Sequence, residues 1–208
     1  MHLSFVFVLL LSISVSHTAH ASDYNKEFRK KYYQTSEFQS SIENFCNFST
    51  DFSASYKKQV ASLKDGKLLL DKISDFENRH TWKEDINAKD SYLIIPGKPK
   101  VGTIYHFEEK ATFVPFLPIV PKKNIFDYYI QEKTPDKFKG CIVYSSLPFQ
   151  KAVFEYKLTK ENGKYFIERT AKVIPKPLLP KSLVLNKIKE YNAKSLRKAF
   201  ESILDQTS

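Results

Sequence analysis

The sequence predicts an α+β fold, a curved antiparallel β-sheet wrapped around a long C-terminal α-helix, with an extra N-terminal helix. Three observations carry this expectation. From Ser91 onward, apolar residues alternate with polar ones in segments separated by Pro, Gly, Asn and Asp, the pattern of an antiparallel meander. The last of these segments, Tyr165–Ile174, leads through the proline-rich bridge Pro175–Pro180 into Lys181–Leu204, where the apolar period lengthens to that of a helix. In the final two strands one parity is apolar and the other charged, which assigns the sheet one covered face and one wet face.

At the N-terminal side, Leu3–Val15 is an apolar run followed by Ala19-His20-Ala21, an A-x-A pattern. It is read as a secretory signal peptide over residues 1–21, cleaved after Ala21, which predicts an exported protein, periplasmic or secreted. The run is shorter than the ~20 apolar residues that a membrane span requires. No Lys or Arg precedes it, and no Cys stands at the cleavage point. Asp23–Phe48 carries Phe28, Tyr32, Thr35, Phe38, Ile42 and Phe45 at helical spacing, so residues 22–51 are expected to form a helical extension packed on a domain of residues 52–208.

Ser49–Ser62 is Ser-rich, and within it Phe52, Ala54 and Tyr56 alternate as an edge strand would. Asp65-Gly66 reads as a turn. After it, Leu69, Leu70 and Ile73 predict a short helix over Lys67–Ile73, and the polar segment Ser74–Lys83, which holds the single tryptophan Trp82, reads as a second. The strand candidates follow as Tyr92–Ile95, Gly102–Phe113, Asn124–Lys133, Phe138–Ser146, Lys151–Thr159 and Tyr165–Ile174. Asn162-Gly163 supplies the tight turn between the last two. Pro115, Pro118 and Pro121 place Phe113–Pro121 outside any central strand, as a rigid apolar loop. Ala152, Phe154, Tyr156 and Leu158 form the covered face, continued by Tyr165, Ile167, Ala171 and Val173. Arg169 falls on that same parity. The closing helix offers the stripe Leu185, Ile188, Leu196, Ala199, Phe200 and Ile203 to cover the sheet.

Composition bounds the partners. The chain holds 33 Lys plus Arg against 23 Asp plus Glu, a formal charge of +10, and none of these residues lies in the apolar leader. Such a surface draws anionic lipid heads or envelope polymers through attraction that salt screens. The charge is spread in pairs such as Lys57-Lys58 and Lys122-Lys123, and no nucleic-acid-binding motif occurs, so specific nucleic-acid binding is not expected. The two cysteines, Cys46 and Cys141, can form one disulfide in an oxidising compartment or stay apart.

Catalytic templates fail on inspection. No H-E-x-x-H, C-x-x-C or G-x-S-x-G occurs. Gly97 and Gly102 have P-loop spacing but lack the Lys that should follow, so the stretch reads as a turn before a strand. Past the leader the histidines are only His80 and His106, so neither a metal nor a cofactor is expected and no catalytic residue is assigned. Asp75, His80 and Trp82 form either a polar cluster at a pocket mouth or a helix-end Asp, a surface His and a core Trp. The aromatic residues Tyr105, Phe107, Tyr144, Phe154 and Tyr156 either line a ligand cavity or pack a core. Arg169 is costly to bury unpaired. It should meet a carboxylate such as Glu109 or Asp127, or an anionic ligand head group.

The stretch Leu69-Leu70-Asp71-Lys72-Ile73-Ser74-Asp75-Phe76 leading to Trp82, with the strands, proline bridge and long helix behind it, resembles the START-like (SRPBCC) helix-grip superfamily of polyketide cyclases and lipid-transfer domains. The resemblance spans Phe52–Leu204. It implies an apolar ligand gripped between sheet and helix, with Trp82, Tyr105, Phe107, Tyr144, Phe154 and Tyr156 as candidate lining and Arg169 as polar anchor. The expected function is binding or carrying a hydrophobic small molecule, a lipid foremost. Two alternatives stand beside it. One is a cyclase- or hydrolase-like enzyme using His80 or Asp127 as acid or base. The other is an interaction protein meeting an anionic membrane or envelope polymer through its basic surface.

Overall fold

The computed structural model describes residues 18–83, 86–94, 100–110, 123–146, 149–175 and 180–204. The leader Leu3–Val15, Gly97, the whole loop Phe113–Pro121 and residues 176–179 of the proline bridge lie outside the described residues. The chain divides into two compact units between Phe45 and Cys46.

The first unit holds helix α1, Thr18–Tyr33, and most of α2, Ser36–Cys46. One continuous helix over Asp23–Phe48 was the expectation, and the break falls at Thr35. Its hydroxyl donates to the Tyr32 carbonyl and accepts the Phe38 amide, so one side chain closes α1 and caps α2. The apolar stripe changes accordingly. Tyr33 and Phe38 are buried with ring centres 4.7 Å apart, whereas Phe28 is 64% exposed.

The second unit is a seven-stranded sheet with two helices. The strands are β1 (Ser53–Val60), β2 (Ile86–Leu93), β3 (Ile104–Lys110), β4 (Lys123–Thr134), β5 (Lys137–Ser145), β6 (Phe149–Glu161) and β7 (Lys164–Pro175), in spatial order β1-β7-β6-β5-β4-β3-β2. Every neighbouring pair is antiparallel. The Ser-rich segment resolves as the edge strand β1, paired to β7 with Tyr56 opposite Arg169. Strand β2 begins at Ile86, ahead of Ser91, because a register irregularity between them hides the alternation. The hairpin at Asn162-Gly163 has both residues at positive φ, as a tight turn with right-handed strand twist requires.

Helix α3 spans Leu63–Ser74 and starts earlier than expected. Ser62 accepts the Asp65 amide at 3.2 Å, so Asp65-Gly66 lies inside the first helical turn instead of preceding the helix. Gly66 is needed there for closeness: a Cβ would stand 2.5 Å from a Leu158 methyl on β6. The second short helix expected over Ser74–Lys83 is only a single 3₁₀ turn, Arg79–Thr81.

Helix α4, Lys181–Ile203, covers the sheet near β1 and β7. Its buried stripe is Val184, Ile188, Asn192, Leu196, Ala199, Phe200 and Ile203. Val184 replaces the expected Leu185, which is half-buried, and Asn192 inserts a polar member. The Asn192 amide donates to the Ala54 carbonyl of β1 at 2.7 Å, tying the helix to the sheet edge. Apolar side chains from α3, α4 and the sheet's concave face form one contiguous core.

The opposite face is wet only in part. On β4 the buried run from Phe126 to Ile130 includes both parities, and Tyr129, Cys141 and Val153 are buried away from the concave core. Here Cys46 and Cys141 are joined in a disulfide with Cα atoms 5.7 Å apart.

Candidate functional site

Strand alternation carries Arg169 inward. It sits between Tyr56 on β1 and Tyr156 on β6 in the sheet register, on the face whose other members are Ile167 and Ala171. Only 3% of it is exposed. Its Nε donates to the Tyr156 hydroxyl at 2.8 Å, and its guanidinium carbon lies 4.6 Å from the Phe154 ring centre and 5.0 Å from that of Tyr191 on α4. The expected carboxylate partners are engaged elsewhere: Glu109 forms a buried ion pair with Lys83, and Asp127 bonds His106 at 2.7 Å. Arg169 therefore keeps a buried Nη1 with no acceptor among the described residues.

A second arginine repeats this arrangement. Arg79, on the 3₁₀ turn after α3, is 9% exposed and stacks over Phe76 at 4.7 Å, Phe107 at 5.1 Å and Trp82 at 5.7 Å. Its Nε and Nη1 are both buried without an acceptor among the described residues. Aromatic faces attract a guanidinium through their quadrupole but accept no conventional hydrogen bond from it. The two arginines are thus electrostatically cushioned and still short of acceptors.

Between them lies Tyr128. Its ring is 5.1 Å from Phe76 on the Arg79 side and 6.4 Å from Phe154 on the Arg169 side. The phenols report the field. Burial would raise the Tyr156 pKa, but Arg169 and then Arg79 outweigh it, so the hydroxyl is held below its ordinary value. Tyr128 is raised, burial leading and the nearby Tyr156 phenol adding to it, against the pull of both arginines. Tyr191 leaves 42% of its surface exposed. Glu109 foremost, and then burial, push its hydroxyl upward.

The candidate lining residues divide into those that join this interior and those that do not. Tyr105, Phe107, Trp82 and Tyr156 are buried members of the core, and Phe154 packs against it half-buried. Tyr144 stands half-buried near the end of β5, outside that contiguous core. Phe76 touches Tyr105, Phe107, Tyr128 and Phe138 with ring centres at 5.1 to 6.1 Å, so rings fill the described space beneath the sheet. His80 is a half-buried residue whose Nδ1 contacts the Glu77 carbonyl, and Trp82 is a core residue whose indole donates to the Lys72 carbonyl.

Arg79, Tyr128 and Tyr191 escaped the sequence reading for separate reasons. Arg79 lies in an aperiodic polar turn, where its one signal was proximity to Phe76 and Trp82. Tyr191 falls off the helical stripe. Tyr128 was legible, since it shares parity with Phe126 and Ile130.

On the other face His106 and Asp127 are fully buried, and Glu108 lies 3.5 Å from the His106 Nε2. A cleft of about 340 Å³ is lined there by Cys46, Asn47, Phe48, Ser49, Lys139, Val153 and Lys172.

No family model and no curated protein matches the sequence. Solved structures do match in fold. A START superfamily protein from Mycobacterium smegmatis superposes with TM-score 0.57 at 14% identity, over 75% of this chain and 99% of that one. A protein from Thermus thermophilus gives 0.53 at 10% identity, over 75% and 99%. The ginseng major latex-like protein 151 from Panax ginseng gives 0.53 at 12% identity, over 73% and 93%. With a seven-stranded antiparallel sheet closed by a C-terminal helix and these matches, the chain has the START-like helix-grip fold.

Proposed function

We propose that this chain is an exported START-like protein that binds or carries a hydrophobic ligand, a lipid foremost, between the concave sheet face and α4. The observation that carries the reading is the aromatic interior, lined by Phe76, Tyr105, Phe107, Tyr128 and Tyr156 and bordered by the partly exposed rings of Phe154 and Tyr191, 6.5 Å apart. Rings occupy that interior here, so the ligand enters by turning them aside. Swinging Phe154 and Tyr191 outward exposes the aromatic wall, and the ligand restores the burial that the rings lose. Export rests on the apolar leader and the A-x-A pattern before Ser22.

The test is solvent extraction of the protein purified from its periplasmic or secreted fraction, followed by lipid mass spectrometry. A copurifying apolar molecule near one equivalent is expected. A chain that carries no ligand and gives no Trp82 fluorescence change with long-chain probes would overturn the reading.

A second reading is favoured by the filled interior together with the charge of +10. In it the interior is structural and the basic surface meets an anionic membrane or envelope polymer. Salt-sensitive sedimentation with anionic vesicles, unchanged when the interior is blocked, is its signature. The enzyme alternative gains no such support, because the half-buried His80 is engaged with the Glu77 carbonyl and Asp127 faces away from the concave interior.

A further inference from the structure

Two buried arginines beside one aromatic wall have a chemical implication of their own. The buried charges on the concave side among the described residues are Arg79, Arg169, Lys83 and Glu109, and the last two form a salt bridge. Two cations are left. Burying an ionised group without a counter-charge is costly, and a protein that needed only packing would place Leu or Met there. Three of their N–H donors, Arg79 Nε and Nη1 and Arg169 Nη1, are buried without an acceptor among the described residues.

We propose that Arg79 and Arg169 form an oxyanion-reading site inside the grip, so that the ligand is an acidic amphiphile with an apolar body and one carboxylate or phosphate head. This rests on the ligand-binding reading above and narrows it. The head accepts hydrogen bonds from the orphaned guanidinium donors, and the body lies against the rings that cushion them. Tyr156 takes part because it already bonds the Arg169 Nε at 2.8 Å and fixes the guanidinium plane. The depressed Tyr156 phenol follows from the same placement, since both guanidiniums make its surroundings favour negative charge. Tyr191 stands at the mouth of this arrangement, its ring 5.0 Å from the Arg169 guanidinium carbon.

The experiment is calorimetric titration of the delipidated, disulfide-intact chain with four probes: dodecanoate, dodecyl phosphate, dodecan-1-ol and sodium phosphate. Hydrogen bonds to a charged partner predict that at least one of the acidic amphiphiles binds about tenfold or more tighter than the alcohol of the same length. Arg169→Met and Arg79→Met should each weaken binding of the acidic amphiphiles by more than they weaken binding of dodecan-1-ol, erasing most of that preference. Arg169→Lys, which keeps the charge and loses the planar donors, should retain part of it.

The unliganded proteins give a readout that a purely structural role would reverse. Arg169→Met should melt at a higher temperature than wild type, because an uncompensated charge leaves the core. A lower melting temperature would mean that the arginine is there to hold the fold. Equal affinity for acid and alcohol would overturn the oxyanion site and leave the hydrophobic-ligand reading intact. Binding of sodium phosphate as tight as that of the amphiphiles would make this a free-anion site and overturn the amphiphile. Absence of binding by all four probes would sink both readings.

Discussion

Tyr105 and Tyr156 both face the concave side of one sheet, yet their phenols move in opposite directions. Tyr105 is pushed up to about 12 by burial and then by the Glu77 charge, whereas the arginines pull Tyr156 down. The difference is which neighbour is charged. For Tyr105 the sign of the pH dependence follows directly. Its folded pKa exceeds the ordinary value of 10.0, so the stability it contributes is fully present below pH 10 and is lost as pH rises through about 12. Urea midpoints measured across that window should fall less steeply in Tyr105→Phe than in wild type. Parallel curves would show that Tyr105 is not held neutral by its surroundings. At this scale the sequence was partly legible, because strand parity placed Arg169 inside. Its partners were not, since the choice of Glu109 for Lys83 and of Asp127 for His106 depends on segments that meet only in three dimensions.

Strands β4, β5 and β6 show how one small residue organises an element. Gly140 lies in β5, opposite Ile130 on β4 and Phe154 on β6, a central position where glycine normally weakens a strand. Its role is close approach: the Tyr128 ring lies over it, and any Cβ would collide with that ring. The vacancy lets Tyr128 and Phe154 align at an interplanar angle of 12°. Gly140→Ala should therefore cost about 1–3 kcal/mol of stability through overpacking. The same change in a Tyr128→Leu background should cost at least ~0.5 kcal/mol less. Additive losses in urea denaturation would disconnect the glycine from the ring. Element boundaries were legible where a period was unbroken, as in β6, β7 and α4. They were hidden where one side chain redirected the backbone, as Thr35 does between α1 and α2 and Ser62 does at the start of α3.

For residues 46–208, the disulfide is the longest-range covalent constraint, joining positions 95 residues apart. Closing a loop of that size restricts the unfolded chain more than the folded one. Replacing Cys46 and Cys141 together by Ala should lower stability by about 2–5 kcal/mol. The double variant should show the same reduced urea midpoint as the wild type under reductant, and an unchanged midpoint would mean that the bridge constrains little. Cys141 itself is fully buried on the side away from α4.

What the sequence determined by itself was the class of fold, the covered face of the last strands and the inward placement of Arg169. These follow from local periodicity, which depends on the order of residues along the chain and on no distant contact. Tertiary structure alone decided that Arg79 and Arg169 flank one aromatic wall, that Glu109 and Asp127 serve other partners, and that rings fill the interior. The physical reason is that a buried charge is defined by the groups around it. Those groups come from the turn after α3, from β3, β4, β6 and β7, and from α4, elements that only the folded sheet brings together.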